Sequence, residues 1–187
     1  MATFLMTIGL TIGIAGITFA QSSKKFPQTK ITMTIDAPID SAFNYIVPVD
    51  LSHIFKKYKN LPAITKTDET ERWIKAGLTR TVYFEDGSTS KETLLTVVPH
   101  SSFSYKIESF TSKLRFLAKR VEGNWVFTDL GNGQTKIEWT YIIVPKNFIT
   151  RGIIKLALLK NVKGLLTNAL TILKTDLEKA NEKTTKK

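Results

Sequence analysis

The feature that most constrains this chain is a series of turn signals between residues 79 and 145 with no helix-periodic stretch among them. Asp86-Gly87 separates TRTVYFE from TSKETLLTVV, Pro99-His100-Ser101 leads into FSYKIESF, and Gly131-Asn132-Gly133 separates EGNWVFTDL from TKIEWTYIIV. Short polar turns between β-rich runs make hairpins. Hairpins that follow one another directly build an antiparallel sheet, because parallel neighbours need a long crossover between them. This argues against a parallel nucleotide-binding sheet and for a curved antiparallel one. Strand alternation then sorts the side chains by face. Phe103, Tyr105 and Ile107 share one face, as do Val121, Trp125 and Phe127, and as do Ile137, Trp139, Tyr141 and Ile143. Lys106, Glu108, Arg120, Glu122, Lys136 and Glu138 lie opposite. One side of the sheet is aromatic and the other charged.

Helical segments flank this sheet. Residues 30–36 alternate Ile31, Met33 and Ile35 with polar neighbours, the period of a half-buried strand. Ala37-Pro38 ends it, and Ile39, Ala42, Phe43 and Ile46 recur at helical spacing up to about Val47. Pro48 stops that helix, and Asp50 caps a second one expected to run to about Tyr58. The last element spans residues 148 to about 180. Leu159, Val162, Leu165, Leu166, Ala169, Leu170, Leu173 and Leu177 form one stripe, with Lys160, Lys163 and Lys174 on the other side. Unbroken, it is ~45 Å long, enough to cross a sheet. Gly164, on the polar side, is a place for a bend. The expected layout is a domain over residues 30–180, a linker at 24–29 and a flexible polar tail at 181–187.

Composition removes whole classes of chemistry. The 187 residues suit one domain, and they include Cys 0 and His 2. Disulfides, Cys-ligated zinc, iron–sulfur clusters and thiol nucleophiles are excluded, and a multi-histidine metal site nearly so. No G-x-S-x-G, phosphate loop or G-x-G-x-x-G occurs. No cofactor or metal is expected, and no residue is assigned as catalytic.

Residues 1–23 carry no charged side chain. Within them, residues 4–20 read as a membrane anchor, the uncharged run being long enough for a helix of ~30 Å, with Lys24 and Lys25 on its cytoplasmic flank. The alternative is an export signal cut after Ala20. The anchor is the preferred reading.

The stretch ITMTIDAPIDSAFNYIVPVDLSHIF, residues 31 to 55, resembles the START and birch-pollen-allergen-like (SRPBCC) superfamily, in particular its polyketide cyclase/dehydrase and lipid-transport group. The likeness rests on a strand, an Ala-Pro, an acidic residue and a helix with an aromatic at the Phe43 position, and the order of elements extends it over residues 30 to about 180. It implies an α+β helix-grip fold: a curved antiparallel sheet, two short helices after the first strand, and a long C-terminal helix across the concave face. It also implies a cavity between sheet and helix for a hydrophobic small molecule or lipid. The aromatic sheet face and the leucine stripe would confront each other in such a fold. By themselves they would fill an ordinary core equally well. The candidate lining residues are Arg80, Phe84, Phe103, Tyr105, Trp125, Phe127, Trp139, Tyr141, Leu166 and Leu173.

Two functional readings follow. The first is binding, without catalysis, of a hydrophobic ligand. The second is a cyclase- or dehydratase-like enzyme, with Arg80, Tyr105, Tyr141 or a histidine polarising a carbonyl. Neither His53 nor His100 has an orienting carboxylate nearby in sequence, so each reads as a surface residue. Glu85, Glu92 and Glu138 are strand-borne acids of the kind that solvated faces carry. Arg80 shares strand parity with Leu78, Val82 and Phe84. Pointing inward it would pair with a ligand anion; turned outward by a twist or bulge it would be an ordinary surface cation.

The net charge is +11. Between Glu138 and Asp176 there is no acid, while Lys146, Arg151, Lys155, Lys160, Lys163 and Lys174 intervene. Since the aromatics are predicted inside, nucleic acid is not an expected partner. Lys155, Lys160 and Lys163 are candidates for contact with anionic headgroups. A plain solvated lysine face is the most ordinary reading, and a protein partner on that face is a third.

Overall fold

The computed structural model describes residues 26–185. The anchor or signal expected within residues 1–23 lies outside them. Strand β1 (Gln28–Ile35) leads into helices α1 (Ile39–Ile46) and α2 (Leu51–Ile54). Six strands follow: β2 (Ile64–Thr67), β3 (Thr79–Phe84), β4 (Thr89–Val98), β5 (Ser102–Glu108), β6 (Ala118–Gly131) and β7 (Gln134–Pro145). A 3-10 turn (Lys113–Phe116) joins β5 to β6. The chain closes with α3 (Phe148–Ile153), a π-helical turn (Ile154–Leu158) and α4 (Leu159–Thr185).

The strands form one antiparallel sheet in the order β1-β7-β6-β5-β4-β3-β2. The hairpins read from the turn residues are all present, and β1 adds to the outer edge of β7, with Ile31 opposite Trp139. Irregular register at Leu94/Thr96 and at Ala118/Arg120 helps curve the sheet. The long C-terminal helix lies on the concave face. This is the helix-grip arrangement.

Pairing defines two ends of the sheet. Gln28, Ile142, Val121 and Tyr83 lie toward the end where α3 begins; Ile35, Asp129 and Val98 lie toward the other. Helix α4 runs from the first end to the second, where Lys174 Nζ donates to Thr34 O at 2.8 Å and Asp36 N donates to Glu178 Oε1 at 3.0 Å. At this far end α1 fills the space under α4. Phe43 packs edge-on against Phe127 with ring centroids 5.2 Å apart, and Ala169, Leu170, Leu173 and Leu177 are buried. The far half is a solid core.

Three local expectations change. Helix α2 ends at Ile54 instead of reaching Tyr58. Asp50 caps it, accepting from Ser52 N at 2.8 Å, but Phe55 turns out of helix and its carbonyl accepts from Ile64 N at 3.0 Å. Gly164 is not a bend. It admits the Tyr58 ring, whose Cζ would stand 2.4 Å from an added Cβ, and the departure from α-geometry falls earlier, at the π turn. Helix α4 also continues past Ala180 to Thr185.

Candidate ligand cavity

Between the α3 half of the sheet and the start of α4 lies a cavity of about 660 Å³. That is the size of a small-molecule or lipid site. Its mouth is framed by the 3-10 turn (Lys113, Leu114), the Asp86–Ser88 turn, the Asn60–Pro62 loop, and Ile153 with Ala157. Eight of the expected lining residues border it: Arg80, Phe84, Phe103, Tyr105, Trp125, Trp139, Tyr141 and Leu166. Phe127 and Leu173 do not. Both are buried in the far half, where α1 and the second half of α4 close down on the sheet. Strand and helix periodicity placed them on the correct faces; it carries no information about distance along the groove.

The cavity wall is an aromatic ladder built by cross-strand pairing. Trp125 and Trp139 stand opposite each other in the register and stack with centroids 4.1 Å apart. Phe103 stacks on Trp125 at 5.4 Å, and Phe55 meets Trp139 edge-on at 6.0 Å. Tyr105 extends the ladder across Gly123. An added Cβ at Gly123 would lie 2.1 Å from Tyr105 Cζ, so only glycine lets the phenol lie flat on β6. Trp139 Nε1 donates to the Tyr105 hydroxyl at 3.1 Å. The Trp125 indole N–H is buried and makes no well-formed hydrogen bond with the protein.

One part of the wall is charged. Arg80 points inward, as its parity with Val82 allowed, but the ligand anion imagined for it is supplied by the protein. Its Nε donates to Glu92 Oε2 at 2.6 Å and its Nη1 donates to Glu69 Oε1 at 2.9 Å. Its guanidinium also lies over the Trp73 ring, 4.1 Å from the centroid. The Arg80 and Glu92 side chains are only 3% and 4% exposed. Glu92, expected on the solvated face, is instead buried. Counting equal steps outward from Asp86 reaches Arg80 on one strand and Glu92 on the other, which the pairing confirms. That hairpin arithmetic was the available signal. Glu69 and Trp73 lie between β2 and β3 in a segment without periodicity, so nothing in the sequence pointed to them.

The cluster therefore sets one guanidinium against two carboxylates. Burial pushes the Glu92 carboxyl up, opposed by Arg80 and reinforced by the charge of Glu69. Burial also pulls on Glu69, but hydrogen bonds from Thr67 and its own backbone, together with Arg80, outweigh it and hold Glu69 below the usual range. One Glu69 oxygen, Oε2, is buried without a hydrogen-bond partner. Burial raises Tyr105 well above an ordinary tyrosine, with Tyr141 and Glu92 adding and the two indoles partly offsetting. Tyr141 is raised by burial and by Glu92. Both phenols therefore remain protonated donors at any ordinary pH. The wall offers hydroxyl donors and a carboxylate, in a site already short of positive charge.

The histidines stand elsewhere. His53 Nε2 is 2.7 Å from Asp176 Oδ2 and His100 Nδ1 is 3.1 Å from Asp40 Oδ1, so each has a partner in space that sequence distance concealed. Both are exposed, and neither borders the cavity. Glu85 pairs with Lys57, and Glu138 with Lys30 and Lys136, outside the cavity. Among the described residues no group of three or more His, Asp or Glu side chains could hold a metal ion. Lys155, Lys160 and Lys163 are exposed on the last helical stretch.

The family model for polyketide cyclase/dehydrase and lipid transport matches residues 27–178, the whole of the sheet, the cavity and most of α4. The chain belongs to that family. Solved structures agree on its fold. A START superfamily protein from Mycobacterium smegmatis is 11% identical, with a TM-score of 0.59 over 82% of this chain and 98% of its own. Ara h 8.0201 is 18% identical, with a TM-score of 0.58 over 81% of this chain and 97% of its own. XoxI from Bacillus cereus is 17% identical, with a TM-score of 0.56 over 80% of this chain and 94% of its own. At these identities the likeness is one of fold. No curated protein matches the chain by sequence.

Proposed function

We propose that this chain binds a neutral hydrophobic small molecule or lipid, with its apolar body along the aromatic ladder and a hydroxyl or carbonyl turned toward Tyr105, Tyr141 and Glu92. The observation that carries the reading is the 660 Å³ opening between sheet and helix, beside a far half whose facing side chains are buried against one another. Natural interiors fill such space unless something else does. The Arg80 cluster supports the ligand's neutrality, because a fatty-acid anion would meet Glu92 and a cation already engaged by Glu92 and Glu69. Native mass spectrometry after mild purification, followed by displacement of a fluorescent probe, tests the proposal. A long-chain alcohol or sterol should displace the probe at concentrations well below those of the matching fatty acid. A protein that retains no small molecule and takes up no probe would defeat it.

A second reading has its own observation. Glu92, held toward its protonated form, and two phenols border the same cavity, an arrangement able to polarise a carbonyl or move a proton. An enzyme of the cyclase or dehydratase kind would use these groups rather than either histidine. Under that reading Glu92→Gln abolishes turnover while the ligand still binds.

A further inference from the structure

The four most exposed large apolar side chains among the described residues are Leu156 (89%), Phe148 (83%), Phe116 (61%) and Ile149 (60%). All four lie at the α3 end of the sheet. Ile149, Ile153 and Leu156 recur at helical spacing and make one stripe along α3 and the π turn, with Phe148 at its head. Phe116 ends the 3-10 turn, and the next carbonyl, Leu117 O, accepts from Lys146 N at 2.9 Å, which holds that turn beside the start of α3. Ile153 is both exposed and part of the cavity wall, so the stripe borders the mouth. Of the most apolar window in Phe148–Lys183, only 28% is buried. Among residues 148–158 only Thr150 and Ile154 are buried, so the N-terminal part of this helical stretch does not bury its apolar residues as a core helix would, and exposed patches of this kind mark interaction sites.

The charge beside the stripe is predominantly positive. Residues 109–121 contain Lys113, Arg115, Lys119 and Arg120 and no acid, Arg120 being held by Glu122, and no acid occurs between Glu138 and Asp176. Lys113, Arg115, Lys146 and Lys155 are exposed. Among the described residues none of these four pairs with a carboxylate; on the opposite lip Glu85 is paired with Lys57, while Asp86 accepts from Ser88 and keeps its negative charge. The chain also enters the fold here. Pro27 O accepts from Ile143 N at 2.8 Å, at the same end of the sheet as α3, and the uncharged residues 1–23 lead up to it.

We propose that the α3 end is a membrane-docking surface: Phe116, Phe148, Ile149 and Leu156 insert into an anionic bilayer, the surrounding cations hold its headgroups, and the cavity mouth faces the lipid. Apolar side chains standing proud of the fold within a girdle of unpaired cations match the interfacial zone of a bilayer, where inserted apolar area and attraction to anionic headgroups act together. This surface is independent of which ligand fills the cavity, so its failure would leave the ligand proposal standing.

The chain contains no cysteine, so single labels are simple to place. The full chain carrying Leu156→Cys, labelled with a polarity-sensitive fluorophore, is mixed with vesicles of phosphatidylcholine alone or with phosphatidylglycerol. Val98→Cys, exposed at the far end of the sheet, is the control. Residues 1–23 could tether either variant, so the readout is depth at the label and not mere binding. The Leu156 label should shift to the blue and be quenched by brominated acyl chains on the anionic vesicles, while the Val98 label stays in water. Lys113→Gln, Lys146→Gln and Lys155→Gln should each weaken this insertion roughly fivefold, and together about a hundredfold. A Leu156 label that remains in water on both vesicles overturns the proposal. So does a label already shielded without vesicles, which would place another segment of the chain or a second copy on the stripe; dilution separates those two.

Discussion

Removing Arg80 is the sharpest test of the buried cluster. Arg80 Nε and Glu92 Oε2 are 2.6 Å apart, with both side chains almost fully buried. At an effective dielectric constant of ~20, unit charges at that separation attract by about 6 kcal/mol. Desolvating each ion costs several kcal/mol, so the intact pair contributes little net stability. Taking away one partner leaves the other's desolvation uncompensated, and such losses run to about 3–5 kcal/mol. Arg80→Met should therefore destabilise the fold by about that amount at neutral pH. Glu92→Gln keeps the shape, leaves Arg80 paired with Glu69 and should cost no more than about 1–2 kcal/mol. The two variants also differ in pH dependence. Burial raises the Glu92 carboxyl in the fold, and losing Arg80 removes the first influence that opposes this. A carboxyl raised in the folded state favours folding most when pH is below its unfolded value, and that advantage is lost as pH rises through the folded value. The Arg80→Met deficit should thus be larger at about pH 7.5 than at about pH 5. Urea unfolding followed by tryptophan fluorescence at the two pH values measures it. A deficit that does not change with pH, or one no larger than that of Glu92→Gln, would show that the ion pair does not govern this part of the wall.

Other outcomes follow from the same geometry. Gly123→Ala pushes a methyl into the Tyr105 ring and should cost about 1–3 kcal/mol, with a changed tryptophan emission as the Tyr105–Trp139 contact breaks. Phe127→Ala, in the solid half, should cost about 3–5 kcal/mol in thermal or urea unfolding and leave probe affinity nearly unchanged. Phe84→Ala, on the half-buried cavity wall, should do the reverse, lowering probe affinity with little change in the urea midpoint. Tyr45 is pushed up to about 12 by burial first and by Asp176 second. Asp176→Asn should bring its ultraviolet titration midpoint only part of the way back toward 10.

The sheet was legible because its information is local. Asp86-Gly87 and Gly131-Asn132-Gly133 set the hairpins, and alternation set the faces, so Trp125 and Trp139 fell on the same side before any contact was known. The leucine stripe likewise announced α4. What could not be read was depth along the groove. Phe127 and Phe103 have the same parity and chemistry, and only the position of α1 separates a packed residue from a lining one. The charged wall was half legible: Arg80 was inward by parity, and its cross-strand partner followed from the hairpin, while Glu69 and Trp73 came from irregular chain. The exposed apolar stripe on α3 was hidden for a related reason, since periodicity gives the stripe and not what covers it.

Helix α4 does two jobs along one span. Its second half, from Ala169 to Leu177, is sealed against the sheet, while its first half and the π turn roof the cavity through Leu158, Val162 and Leu166. The roof is thus less deeply packed near the mouth than at its far end. Opening it would have to release Ile154, Val162, Leu166 and the Tyr58 ring seated at Gly164, and the π turn, where the helical hydrogen-bond register changes, is the place for it to start. A ligand could then pass without melting the far half of the core, and backbone amides from Leu159 to Leu173 would exchange with solvent in order of distance from the mouth, the near ones first and those around Leu173 only on global unfolding.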